Sequence, residues 1–215
     1  MTGTPWSAAL FDLDGTLVDS EQASQAAYGA YFASRGWDVA PEVRRQFSGR
    51  RGSDVFATLP GPWSGEDPAM LAASVVMHLD HDTHPPRPIP GAAEWVRLLH
   101  GIGVPIALVT SADRAWAEYA LGDLLGVRDC FTALVTSDDT AVGKPDPAPY
   151  EAGAAALGTD PGTAVAVEDT VAGIRSALAA GVGHVIGVTS GSDRPTLLDG
   201  GAHRVVATLA ELGDG

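Results

Sequence analysis

Two aspartates, Asp12 and Asp14, stand two residues apart directly after the apolar run Ala8-Ala9-Leu10-Phe11. Such a run makes a buried parallel strand, and open α/β sheets place their ligands at the carboxyl ends of such strands. Gly15 follows and permits a sharp turn. Crowded carboxylates repel one another unless one is protonated or a cation neutralises them. The spacing therefore points to a Mg²⁺-dependent site with a carboxylate nucleophile. By itself, Asp-x-Asp-Gly is as compatible with an acidic turn closing a strand; other segments must decide.

Three of them carry matching chemistry. Lys144 is the only lysine, the other twelve basic residues being arginines, and it sits in Gly143-Lys144-Pro145-Asp146-Pro147. A bias toward arginine could leave one lysine by chance, but it does not account for that position. Glu168 and Asp169 end a second apolar run and precede a helical stretch. Mg²⁺ prefers carboxylate oxygens, although Asp169 could equally cap the helix. Thr110, Ser111 and Ala112 end a third run, where a hydroxyl and backbone N–H groups at a helix start suit an anion. A simple cap is the plainer reading of that segment alone. Arg50 and Arg51 lie in Gly49-Arg50-Arg51-Gly52-Ser53. One would meet polar substrate groups and the other solvent, with no basis for choosing between them, and two surface arginines are an equal alternative. His78, His81 and His84 recur at metal-ligand spacing, but they close a helix beside a proline-rich stretch and read as a solvated helix end.

Around these groups, strand-like and helix-like segments alternate. A strand at 8–11 is followed by a largely helical block over 20–82: a helix from Ser20, as its cap, to Gly36; a short one from Pro41; one over 53–59; one over 67–81. Residues 84–91 form a stiff proline-rich connector. Then come a helix at 92–101, a strand at 105–110, a helix at 113–125, a strand at 131–135 and a helix at 147–157 with Asp146 as its cap. A strand at 163–167, a helix at 170–180, a strand at 184–188 and a final strand and helix within 204–212 complete the pattern. Such alternation predicts a parallel sheet covered by helices on both faces.

The whole chain bounds the function. Its 215 residues suit one large domain, or a core with a small second domain. A formal net charge of −14 disfavours nucleic acid and anionic membrane as partners, yet leaves room for a small phosphorylated substrate held by a metal and a few basic groups. Cys130 is the lone cysteine, so no internal disulfide forms. The first six residues lack the basic and apolar regions of a signal peptide, and no apolar run is long enough to span a bilayer. A cytoplasmic protein, monomeric or weakly homodimeric, is expected.

Taken in order, Asp12-Leu13-Asp14-Gly15-Thr16-Leu17-Val18-Asp19-Ser20, Val109-Thr110-Ser111-Ala112, Gly143-Lys144-Pro145-Asp146-Pro147 and Val167-Glu168-Asp169-Thr170-Val171-Ala172-Gly173-Ile174 resemble the haloacid dehalogenase-like hydrolases. The resemblance covers nearly the whole chain. It implies an α/β fold: a Rossmann-like doubly wound parallel sheet core over 1–19 and 88–215, with a small α-helical cap inserted over 20–87. It further implies a Mg²⁺-dependent phosphomonoester hydrolase acting on a sugar or polyol phosphate. Asp12 would be the nucleophile that becomes an aspartyl-phosphate, and Asp14 the acid and then the base. Gly15, Thr110, Ser111 and Ala112 would bind phosphate, with Lys144 neutralising charge during transfer. The metal would be held by Asp12, the backbone carbonyl of Asp14, Asp169 directly, and Glu168 directly or through water. Arg50 and Arg51 occupy the segment resembling the branch's substrate-specificity loop.

Alternatives within the family differ by residue. Dehalogenases lack an acid at the Asp14 position, and phosphonatases need a cap lysine that this chain does not have. A β-phosphoglucomutase would carry a histidine where Ser24 stands and a lysine where Ser48 precedes Gly49; both departures favour a phosphatase. A catalytically silent binding module is the alternative of another class, but every catalytic position holds a competent residue.

Overall fold

The computed structural model describes residues 6–213. The leader-peptide reading falls almost entirely on residues 1–5, outside the described residues. The strands are β1 (Ala8–Phe11), β2 (Val18–Asp19), β3 (Arg87–Pro88), β4 (Ile106–Val109), β5 (Ala133–Val135), β6 (Ala164–Glu168), β7 (His184–Val188) and β8 (Arg204–Val206). The helices are α1 (Glu21–Ser34), α2 (Pro41–Arg44), α3 (Gly52–Thr58), α4 (Pro68–Val76), α5 (Ala92–Gly101), α6 (Arg114–Tyr119), α7 (Ala148–Leu157), α8 (Val171–Ala179), α9 (Arg194–Asp199) and α10 (Ala210–Gly213).

Six strands form one sheet in the order β5-β4-β1-β6-β7-β8, and every pairing in it is parallel. The two-residue period of a strand explains why β1 is apolar throughout. Ala9 and Phe11 face a core shared with Trp95 and Leu99 of α5. Ala8 and Leu10 face the other core, with Tyr150 of α7 and Ile174 of α8. The chain leaves β1 for β4 on one side and later returns to β6 on the other. The carboxyl end of β1 is thus the topological switch point, where such sheets hold ligands.

The helices between β1 and α5 have an apolar cluster of their own, built on Tyr28, Phe32, Phe47, Phe56 and Trp63. Trp63 is 1% exposed, stacks on Phe32 at 5.4 Å between ring centres, and donates its indole N–H to the Leu59 carbonyl at 2.8 Å. The cluster joins the sheet through a two-strand ribbon in which β2 pairs antiparallel with β3. The expectation of a plain connector over 84–91 missed β3.

Other boundaries differ for local reasons. Ser20 does not cap α1; its hydroxyl is turned to Asp14. α4 stops at Val76, short of residue 81, and Asp80 then takes the N–H groups of Asp82 and Thr83 into a turn. The expected helix over 113–125 is helical to Tyr119 and then widens into a π-turn over Ala120–Leu124. α7 begins at Ala148, with Asp146 Oδ1 accepting the Ala148 N–H at 3.0 Å. The short α9 was not anticipated, despite Asp193 accepting the Thr196 N–H at its start.

Candidate active site

Lys144 is the centre of the site. It is 1% exposed, and its ammonium donates to Asp12 Oδ1 at 2.6 Å, Glu168 Oε1 at 2.5 Å and the Val109 carbonyl at 2.9 Å. The carboxyl ends of β1, β4 and β6 therefore meet on one ammonium group. Burial alone would lower the Lys144 pKa, but the charges of Asp12 and Glu168 outweigh it and push the value up. Lys144 stays charged.

One buried cation faces three buried carboxylates. Burial pushes the Asp12 carboxyl up to about 7, against the lowering effect of Lys144, and Glu168 adds to the rise. Asp169 is raised well above the ordinary carboxylate range, by burial and by the charges of Asp12 and Glu168. Without further positive charge the cluster takes up protons.

The oxygens divide cleanly. Glu168 Oε1 accepts from Lys144 and from the Tyr150 hydroxyl at 2.9 Å, and Oε2 accepts from the N–H of Asp169 at 3.2 Å and the Thr170 hydroxyl at 3.2 Å. Asp12 Oδ2 and Asp169 Oδ1 are buried with no hydrogen-bond partner. Each of Asp12, Glu168 and Asp169 offers an oxygen within 4.8 Å of the others. Orphaned carboxylate oxygens held together away from solvent are the donor set a hard divalent cation takes, so these residues fit Mg²⁺. Asp169 suits a direct ligand better than Glu168, whose oxygens already hold protein donors.

The Asp169 carboxylate is held between two glycines. A Cβ on Gly15, whose φ is +83°, or on Gly191 would fall on Asp169 Oδ2, far inside contact distance. Ser190, next to Gly191, donates its hydroxyl to the Gly15 carbonyl. Nothing in the sequence singled out this loop after β7.

Asp14 Oδ1 accepts the Ser20 hydroxyl at 2.5 Å and the Trp116 indole N–H at 2.9 Å. Burial raises its carboxyl pKa, and these two hydrogen bonds lower it. Thr110 is buried at the end of β4, where its hydroxyl accepts the Ala112 N–H at 3.1 Å. Ser111 donates to the Gly49 carbonyl across to the helical insert at 3.4 Å.

The two arginines part company. Arg51 donates to the Thr140 carbonyl and hydroxyl, both at 2.8 Å, and neighbouring Asp54 accepts the Gly143 N–H at 2.8 Å. The helical insert thereby grips the loop that carries Lys144. Arg50 instead lines a cleft of about 410 Å³, with Glu21, Gln46, Ser48 and Thr170 among its other walls. Ser48 donates to Glu21 Oε1 at 2.7 Å. The three histidines do not converge: His78 bonds the Ser74 carbonyl, and His81 lies against Trp116 with ring centres 4.9 Å apart.

Comparison with known proteins places the chain in a family. The haloacid dehalogenase-like hydrolase family model matches residues 6–181. The validoxylamine A 7'-phosphate phosphatase of Streptomyces hygroscopicus subsp. limoneus is 34% identical over 195 residues, 90% of this chain and 91% of that one. Hexitol phosphatase A of Escherichia coli (strain K12) is 36% identical over 194 residues, 87% and 85% of the two chains. Among solved structures, CbbY from Rhodobacter sphaeroides in complex with phosphate superposes with a TM-score of 0.80 at 25% identity, covering 97% of this chain and 96% of that one. The chain belongs to the haloacid dehalogenase-like hydrolases and is an enzyme of the phosphatase kind, acting on phosphorylated small molecules. No helix among the described residues is long and apolar enough to cross a membrane.

Proposed function

We propose that the protein hydrolyses sugar or polyol phosphates with Mg²⁺ through an aspartyl-phosphate on Asp12. The observation that carries this reading is the division of the Asp12 oxygens: Oδ1 is held by Lys144 while buried Oδ2 has no partner. Such a carboxylate is kept in place and only partly neutralised, as a nucleophile requires.

In the first step a carboxylate oxygen of Asp12 bonds to phosphorus as the bond to the leaving oxygen breaks, and Asp14 gives that oxygen a proton. In the second step a water oxygen bonds to phosphorus, its proton passes to Asp14, and the bond to Asp12 breaks to release phosphate. Lys144 offsets negative charge on Asp12 and on the phosphoryl group, while Thr110 and Ser111 hold phosphate oxygens. Asp12, Asp169 and the backbone carbonyl of Asp14 would hold Mg²⁺, which would supply positive charge facing the phosphoryl oxygens and the carboxylates.

The insert over 20–87 serves as the cap. Its hold on the Lys144 loop through Arg51 and Asp54 supports that role, and closure excludes water from the reaction. The cleft beneath it combines a donor-only group, Arg50, an acceptor, Glu21, and the hydroxyl of Ser48. That mixture suits the vicinal hydroxyls of a sugar or polyol, in keeping with relatives named for a validoxylamine phosphate and for hexitol phosphates. Ser24 and Ser48, in place of the mutase histidine and lysine, support hydrolysis rather than isomerisation. The test is phosphate release from a panel of hexose, hexitol, glycerol and glycolate phosphates, with Mg²⁺ or with EDTA. Metal-dependent release favouring the hydroxyl-rich esters is expected; conversion of β-glucose 1-phosphate to glucose 6-phosphate without net phosphate release would contradict it.

A further inference from the structure

We infer that Trp116 is a positioning residue for Asp14, fixing the carboxylate that serves the leaving oxygen. The inference rests on the proposed role of Asp14 as proton donor. Trp116 is 102 residues from Asp14 in the chain and outside all four motifs, yet its Nε1 donates to Asp14 Oδ1 at 2.9 Å. Ser20 donates to the same oxygen at 2.5 Å. Two donors on one oxygen set the plane of the carboxylate. Oδ2 accepts no hydrogen bond from the described residues and is left for the reacting oxygen.

Trp116 is itself pinned at three points. Its backbone N–H is held by Asp113 at 2.8 Å, at the start of α6. Its ring packs on His81, from the segment that returns from α4 to β3, and on Tyr119, with ring centres 4.9 Å and 5.8 Å away. The indole is half-buried, so it reaches the site without filling it.

The chemistry of the group matters as much as its place. Indole N–H donates and cannot accept. It therefore orients Asp14 without offering a base to which the acid could lose its proton. Holding a catalytic carboxylate in its productive orientation is a rate effect, and a misplaced proton donor loses its advantage steeply.

The test compares esters that differ in their need for a proton. A p-nitrophenolate leaves without one; the alkoxide of a hexitol phosphate does not. The quantity to measure is kcat/KM, because it reports only steps up to departure of the leaving group and not the later attack of water. In Trp116→Phe, kcat/KM for the hexitol phosphate falls about tenfold or more, while that for p-nitrophenyl phosphate falls less than about threefold. Replacement of Trp116 alone by benzothienylalanine, which keeps the ring shape and removes only the N–H, gives the same split and answers any objection from packing. An equal fall on both esters, or no fall on either, overturns the inference. If the parent releases phosphate from neither ester, the underlying phosphatase reading fails; parent activity with an unchanged ratio in both variants removes only the role of Trp116.

Discussion

At the scale of single residues, the site is an imbalance of charge: Lys144 against Asp12, Glu168 and Asp169. Burial pushes Asp12 up to about 7, whereas in an unfolded chain it would titrate near the ordinary carboxylate value of about 3.9. The folded state therefore binds more protons between those values. The stability contributed is fully present below about pH 4 and is lost as pH rises through about 7. In the absence of metal, melting temperature should fall between pH 5 and pH 8, and less steeply in Asp12→Asn, which cannot titrate there. The proposed Mg²⁺ would bind the ionised carboxylates, so its stabilising shift should be larger at pH 8 than at pH 5. Equal slopes in parent and variant would show that Asp12 is not the group responsible. A second expectation concerns the glycine against Asp169. Gly191→Ala should weaken Mg²⁺ binding on the order of tenfold, seen by calorimetry and as a smaller Mg²⁺-induced melting shift, with little change in EDTA. Unaltered affinity would mean that Asp169 has room to move.

Much of this site could be read from sequence because its main groups come from contiguous motifs at strand ends. Asp12 and Asp14 flag one another, as do Glu168 and Asp169, and Lys144 is conspicuous as the only lysine. Trp116, Tyr150 and Gly191 could not be read in this way. Each matters through one partner supplied by another part of the chain, Asp14, Glu168 and Asp169 respectively. Ser20 precedes a helix, where a serine ordinarily caps, but its hydroxyl bonds Asp14 instead.

At the scale of elements, legibility followed burial. The long strands of the sheet are buried on both faces and read as unbroken apolar runs. The ribbon of β2 and β3 and the six-residue α9 were missed because neither is long enough to show a period. The helical insert has low amphipathic contrast in α1 but a dense aromatic centre. Trp63→Ala should therefore cost about 3–5 kcal/mol in that unit. Chemical denaturation should show the insert opening, with protease cleavage concentrated over 20–87 while the sheet stays protected. A single cooperative transition with unchanged cleavage would mean that the aromatic cluster does not hold the insert independently.

At the scale of the whole molecule, the net charge of −14 leaves phosphate recognition to a local concentration of positive groups. The insert contributes to it, because Arg51 and Asp54 hold the Lys144 loop, and on the proposed closure this hold matters for activity. Arg51→Ala removes two hydrogen bonds from a charged donor and should lower kcat/KM for hydroxylated phosphate esters roughly tenfold, with a modest fall in melting temperature. Unchanged kinetics would show that the clasp is incidental to closure.

On the proposed mechanism the phosphoryl group passes through Asp12. Rapid acid quench of a single turnover with a phosphoryl-labelled hexitol phosphate tests it directly. Transient label on the peptide containing Asp12, formed and lost at rates that account for phosphate release and absent from Asp12→Asn, is the predicted result. Release of labelled phosphate by the parent with no label ever on the protein, under conditions where formation outpaces hydrolysis, would show that Asp12 does not carry the phosphoryl group.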